Sequence, residues 1–167
     1  VPHELPGFVF PLAAIRAALL RKPRILMLCN PNNPTGTRLP ADQVLGLAAA
    51  APETLVVVDE LYEAFTGDSV LPSGDFCAVP NLLVLRSLAK TAGLAGLRIG
   101  FALGHPDVVD RVGRVTGPYD VNSLAVTAAM AALNDQPYTD AYVDEVIRAR
   151  ALIVTHLTRN SVIHHVA

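Results

Sequence analysis

The sequence predicts an α/β fold, a mostly parallel sheet covered by helices on both faces. Three observations predict it. Short apolar runs at 25–29 (ILMLC), 54–58 (TLVVV) and 82–85 (LLVL) are continuous rather than alternating, as in strands buried on both faces of a parallel sheet. Amphipathic stretches of helical period separate the runs. Each run also ends in polar residues: Asn30 to Asn33 after the first, Asp59-Glu60 after the second, and Arg86-Ser87 with Lys90 after the third. A parallel sheet brings such ends to one rim, where α/β sheets bind their ligands.

The elements follow in order. Residues 12–21 (LAAIRAALLR) carry an apolar stripe with Arg16 and Arg21 outside it, and Pro23 ends the helix. Residues 25–29 read as a fully buried strand. Residues 41–51 (ADQVLGLAAAA) open a second helix after Pro40, and 54–58 form a β-branched strand. Strands are expected at 82–85 and 98–103 (RIGFAL), and helices at 106–115, 123–133 and 138–157. No internal repeat interrupts this alternation.

Composition excludes several classes. The chain of 167 residues is 51% hydrophobic with a net charge of −2, and its pI is near 6.2. That balance gives no basic patch for nucleic acid or an anionic membrane. No stretch approaches the roughly 20 apolar residues of a membrane helix. The N-terminus has no secretory pattern, and a cytoplasmic location is expected. Cys29 and Cys77 lie in apolar sequence and read as reduced, buried thiols. His3, His105, His156, His164 and His165 show no metal-ligand spacing and read as structural or exposed. Neither G-x-x-x-x-G-K-[ST] nor G-x-G-x-x-G follows a strand, which disfavours a nucleotide-binding module.

The polar strand ends carry the chemistry. Asp59 closes a buried strand, a position that also suits a helix N-cap. Lys90 is the only lysine besides Lys22 and sits in SLAKTAGLAGLR. Burial there would make it a nucleophilic amine, although a loop lysine can also extend its amine to water. Ser87 and Arg98 flank it and offer a hydroxyl and a guanidinium to a phosphate monoester. Tyr62 follows Asp59 by three residues, and NPNNPTG at 30–36 holds Asn33 in a conformationally restricted turn. An imine-forming lysine, a phosphate cradle, a carboxylate, a phenol and an amide together match the groups of pyridoxal 5′-phosphate.

NPNNPTG, VVVDELYEAF and RSLAKTAGLAGLRIGF, in this order, resemble the pyridoxal-phosphate-dependent aminotransferases of fold type I. GPYDVNSLA at 117–125 is similar to a segment of the histidinol-phosphate aminotransferase subgroup. The resemblance implies that Lys90 is the catalytic Schiff-base lysine. It implies that Asn33 and Tyr62 bond the cofactor's phenolic oxygen, that Asp59 pairs with its pyridine nitrogen, and that Ser87 and Arg98 hold its phosphate. Residues 1–135 would form the central part of the large cofactor domain, with 136–167 a long helix leading towards a small domain. Relatives are longer, so a phosphate-binding loop, a ring-stacking aromatic and an arginine for the substrate carboxylate are expected outside these residues. The implied activity is amino-group transfer between an amino acid or amino-alcohol phosphate, histidinol phosphate first, and a 2-oxo acid, in a homodimer. The alternatives are a decarboxylase on the same scaffold and a truncated, non-catalytic fragment. Ala89 and Leu61 depart from the family pattern beside Lys90 and behind Asp59. The resemblance also suggests an unusual peptide geometry at Asn33–Pro34, where a cis bond is tolerated. Arg148, Arg150 and Arg159 read as solvated or linking charges on the long helix.

Overall fold

A computed structural model describes residues 1–5 and 7–163. His164, His165 and the rest of the tail lie outside the described residues. The order is α1 (Leu12–Leu19), β1 (Ile25–Cys29), α2 (Ala41–Ala50), β2 (Leu55–Asp59), β3 (Leu82–Ser87), β4 (Gly100–Gly104), α3 (Pro106–Gly113), α4 (Ser123–Asn134) and α5 (Gln136–Leu157). Single tight helical turns follow β2 at Glu63–Phe65 and precede β4 at Ala95–Leu97.

The sheet runs β1-β2-β3-β4 in space. β1, β2 and β3 are parallel, with Cys29 opposite Asp59 and Asp59 opposite Leu85. β4 is antiparallel to β3 and pairs Arg86 with Phe101 and Ser87 with Gly100. That pairing extends β3 two residues beyond the expected strand, so Arg86 and Ser87 belong to the ladder rather than to the loop after it. Gly100 permits the pairing to be close, since a Cβ there would stand 3.0 Å from the Arg86 carbonyl oxygen.

The period of two sorts the strands by face. Leu28, Val56, Val58, Leu82 and Val84 point to one side and pack against Ile15 and Leu19 of α1 and Val44, Leu47 and Ala48 of α2. These helix residues follow the i, i+3, i+4, i+7 spacing that placed the helices in the sequence. Each fully buried Leu or Val there contributes about 1.5–3 kcal/mol. Val57 and Leu83 are buried on the opposite face. α3 lies beside β4, and its Val108 and Val112 border a cavity of about 710 Å³ with Ile25 and Leu55. A smaller cluster joins Ile99 to Ala125 and Ala129 of α4.

Two expectations are corrected. β1 is not fully buried: Ile25 and Met27 are 54% and 70% exposed. It is an edge strand, with Ile25 and Met27 on the face opposite α1 and α2. Cys77 is exposed, in the loop between β2 and β3, and Cys29 is half-buried. No helix among the described residues is long and apolar enough to cross a membrane.

Candidate functional site at the carboxyl rim of the sheet

The loop after β1 is held from inside. The Asn30 backbone N–H donates to the Asp59 carbonyl at 2.9 Å, carrying the β1–β2 ladder one residue further. Its side chain is fully buried. The amide donates to the Leu39 carbonyl at 2.9 Å and accepts from the Leu39 N–H at 2.8 Å. Within the closed loop, the Asn32 N–H donates to Thr37 O and the Gly36 N–H to Asn32 O. The Asn32 amide also bonds the Thr35 hydroxyl at 2.7 Å. Gly36 takes φ 69°, where a glycine carries no steric penalty. The Asn33–Pro34 bond is cis, and so is Asn30–Pro31, which sequence reasoning did not foresee.

From this frame Asn33 reaches across to β2's end. Its Nδ2 donates to the Tyr62 hydroxyl at 3.1 Å. The Lys90 Nζ stands 5.8 Å from the Tyr62 ring centroid, within cation–π range. Asn33, Tyr62 and Lys90, 57 residues apart at the extremes, therefore form one contiguous cluster. Lys90 itself is exposed, which decides between the two readings of the sequence in favour of a loop lysine that reaches water. It lies in the turn after β3, where the Tyr62 ring is its neighbour, and its amine has no hydrogen-bond or ion-pair partner among the described residues.

Asp59 is the last residue of β2. Its Oδ1 accepts from the Leu61 N–H at 3.0 Å and fixes the turn that presents Tyr62. Asp59 is therefore not a helix N-cap, since the helical turn at Glu63–Phe65 follows Tyr62 and has no side-chain cap; the turn bond occupies one of its oxygens. The residue borders a cavity of about 420 Å³ with Cys29 and Asn32. Ser87 and Arg98 sit at the same end of the β3–β4 pair. The Ser87 hydroxyl donates to the Ile99 carbonyl at 3.0 Å and accepts from the Ala89 N–H at 3.1 Å. Its single proton is committed within the chain. Arg98 precedes β4 in the left-handed region at φ 56°. One guanidinium nitrogen bonds Ala95 O at 3.0 Å, and the residue is exposed. Arg150 of α5, read as a solvated charge, borders a cavity of about 370 Å³ with Asn33 and Tyr62.

Sequence reasoning missed a buried charge network directly behind this rim. Glu60 is 1% exposed. It accepts from the Val70 N–H at 2.8 Å, the Ser69 hydroxyl at 2.9 Å and Arg86 Nε at 2.9 Å. Arg86 also pairs with Glu63 and donates to Ser69 Oγ. Its signal was present: Glu60 and Arg86 are opposite charges at the ends of neighbouring apolar runs. Burial pushes the Glu63 carboxyl above its ordinary range; the Arg86 charge pulls it back and the Glu60 charge adds to the rise. His3 bonds Phe8 O and the Thr37 hydroxyl, and His105 caps α3, so both are structural.

The sequence profile of the family described as aminotransferase class I and II matches residues 4–166. The chain belongs to this family. Histidinol-phosphate aminotransferase 2 of Nitrosospira multiformis is 44% identical over 133 residues, which is 76% of this chain and 33% of that protein. The aromatic amino acid aminotransferase of Cutibacterium acnes is 40% identical over 151 residues, 89% of this chain and 43% of that one. The structure of histidinol-phosphate aminotransferase from Sinorhizobium meliloti, in complex with pyridoxal-5′-phosphate, superposes with a TM-score of 0.84 at 30% identity. It covers 95% of this chain and 44% of its own. The chain thus spans a third to under half the length of these relatives.

Proposed function

We propose that this chain is the central, cofactor-holding part of an enzyme that moves an amino group between an amino donor and a 2-oxo acid with pyridoxal 5′-phosphate. α5 leads from residues 1–135 towards a second domain. The observation that carries the proposal is the Asn33–Tyr62–Lys90 cluster at the carboxyl rim.

The residues fit the group. Tyr62 accepts from Asn33 and keeps its own hydrogen, while the Asn33 amide has a second one. Two donors therefore converge beside a free amine, as a phenolate oxygen next to an aldehyde requires. Asp59 retains an oxygen for a ring N–H, and Arg98 retains donors for a phosphate. Ser87 would join them only by giving up Ile99 O.

When bound, the cofactor supplies an electron sink that acidifies the α-hydrogen of the amino donor. Asp59 holds the proton on the ring nitrogen. Asn33 and Tyr62 stabilise negative charge on the ring oxygen. Lys90 would hold the group through Nζ and, once released, would take the donor's α-proton on that nitrogen and return it as an acid. Histidinol phosphate is the favoured donor, in amino-acid biosynthesis, and aromatic amino acids come second; the two curated relatives support this order. Exposed Leu124, Met130, Leu133 and Leu152 on α4 and α5 support burial against a second copy of the chain.

The test is to mix the chain with pyridoxal phosphate, reduce with borohydride and map the adduct. A cofactor mass on Lys90, absent in Lys90→Ala, is expected. Equal labelling of both proteins refutes the proposal. Release of carbon dioxide rather than amino transfer would indicate a decarboxylase on this scaffold.

A further inference from the structure

We infer that Asn30 is a positioning residue that sets Asn33 and Tyr62 relative to Asp59; the inference rests on the reading of those three residues as cofactor contacts. Three observations support it. Asn30 is one of four polar or charged residues buried among those described, and its backbone N–H and both ends of its side-chain amide are hydrogen-bonded. Its backbone N–H holds the Asp59 carbonyl. Its side-chain amide closes residues 30–39 by a two-point clamp on Leu39. A single residue thus ties the strand end that carries the carboxylate to the loop that carries Asn33.

The clamp's chemistry is specific. Leu39 offers an N–H and a carbonyl side by side, and only a planar primary amide presents a matching acceptor and donor. Glutamine adds a methylene that a fully buried site has no room for. Aspartate keeps the acceptor but sets a charge against the Leu39 carbonyl. Inside the loop, Asn32 and Thr35 complete the frame, so loss of the clamp propagates to Asn33, which is exposed and has Tyr62 as its hydrogen-bond partner. Asn30 does not touch the Asn33–Tyr62 pair, so it acts through loop geometry.

Two measurements test this. The first needs no cofactor: amide exchange of Asn30→Ala against the unaltered chain. The amides of Gly36, Thr37 and Leu39 are expected to exchange faster, by on the order of tenfold or more, while Val56 to Val58 keep their protection. Unchanged loop protection overturns the inference. The second is the pH titration of the visible band of the chain loaded with pyridoxal phosphate. Asn33→Ala should move the midpoint upward by removing a donor to the ring oxygen. Asn30→Ala should move it the same way, and the double variant no further. A shift in Asn33→Ala without one in Asn30→Ala overturns the inference and leaves the proposed function standing. No shift in Asn33→Ala, or no Lys90-dependent band, overturns the proposed function instead, and the exchange experiment still decides whether Asn30 holds the loop. If Asn30→Ala does not fold, Asn30→Ser, whose hydroxyl meets one of the two Leu39 groups, takes its place in both measurements.

Discussion

Replacing Arg86 by methionine should destabilise the chain by about 3–4 kcal/mol, in line with the usual cost of breaking a buried ion pair. The geometry sets the size. Arg86 Nε meets Glu60 Oε2 at 2.9 Å, and the Glu60 side chain is 0% exposed. A charge-assisted hydrogen bond of this kind contributes about 1.5–3 kcal/mol. The second pair, to Glu63, is partly open to water and adds at most about 1 kcal/mol. The Nη2 bond to Ser69 Oγ, at 2.8 Å, is lost as well, although that oxygen keeps the Leu71 N–H. Glu60 then keeps only the Val70 N–H and the Ser69 hydroxyl, two neutral donors for a buried anion. The assay is urea unfolding followed by circular dichroism. With m of about 1–3 kcal/mol per molar, the midpoint should fall by about 1–4 M with the slope unchanged. The companion variant gives the decisive comparison. Glu60→Gln in the Arg86→Met background removes the orphaned charge and keeps an acceptor for Val70, so it should recover about half of the loss. A single variant that costs under about 1 kcal/mol, or a double variant no more stable than Arg86→Met, refutes the reasoning.

Three further outcomes are expected. Burial holds the Glu63 carboxyl above its ordinary value, so the folded chain binds a proton there that the unfolded chain has released. Its contribution is complete below about pH 4.3 and is lost as pH rises through the folded value; urea midpoints measured against pH should show this slope, and Glu63→Gln should flatten it. Asn81 Nδ2 shares its two hydrogens among the carbonyls of Ala48, Ala51 and Thr54 at 2.9–3.0 Å, closing the C-terminal end of α2. Asn81→Ala should cost about 1–3 kcal/mol in thermal or urea unfolding, because it removes the side-chain hydrogen bonds that tie the start of β3 to the end of α2. Leu47 is fully buried, and Leu47→Ala should cost about 2–5 kcal/mol by the same assay.

Much of the molecule was legible in the sequence because the information is local. The alternation of apolar runs and amphipathic stretches placed nine elements to within about two residues, and helices such as 41–50 follow from spacing alone. The prolines and asparagines of NPNNPTG announced a shaped loop, and the polar residues after three apolar runs announced a rim. What resisted reading depends on residues far apart in the chain. β4 reverses direction against β3, and that pairing draws Arg86 and Ser87 into the ladder. The Ser87 proton goes to Ile99, a partner 12 residues away that no spacing rule names. The sequence left Lys90 open between a buried amine and a loop lysine reaching water, because its neighbours in sequence are apolar; its neighbours in space are the open rim and one phenol ring.

The sequence by itself determined which segments become strands and helices and which chemical groups stand at the strand ends, since propensity, period and turn chemistry act over a few residues. Only the tertiary structure decided that Asn33 meets Tyr62, that Glu60 meets Arg86 behind them, and that the Asn30 amide closes its loop on Leu39. Those contacts join segments brought together by packing, and a buried polar group must find its partner wherever the fold leaves one.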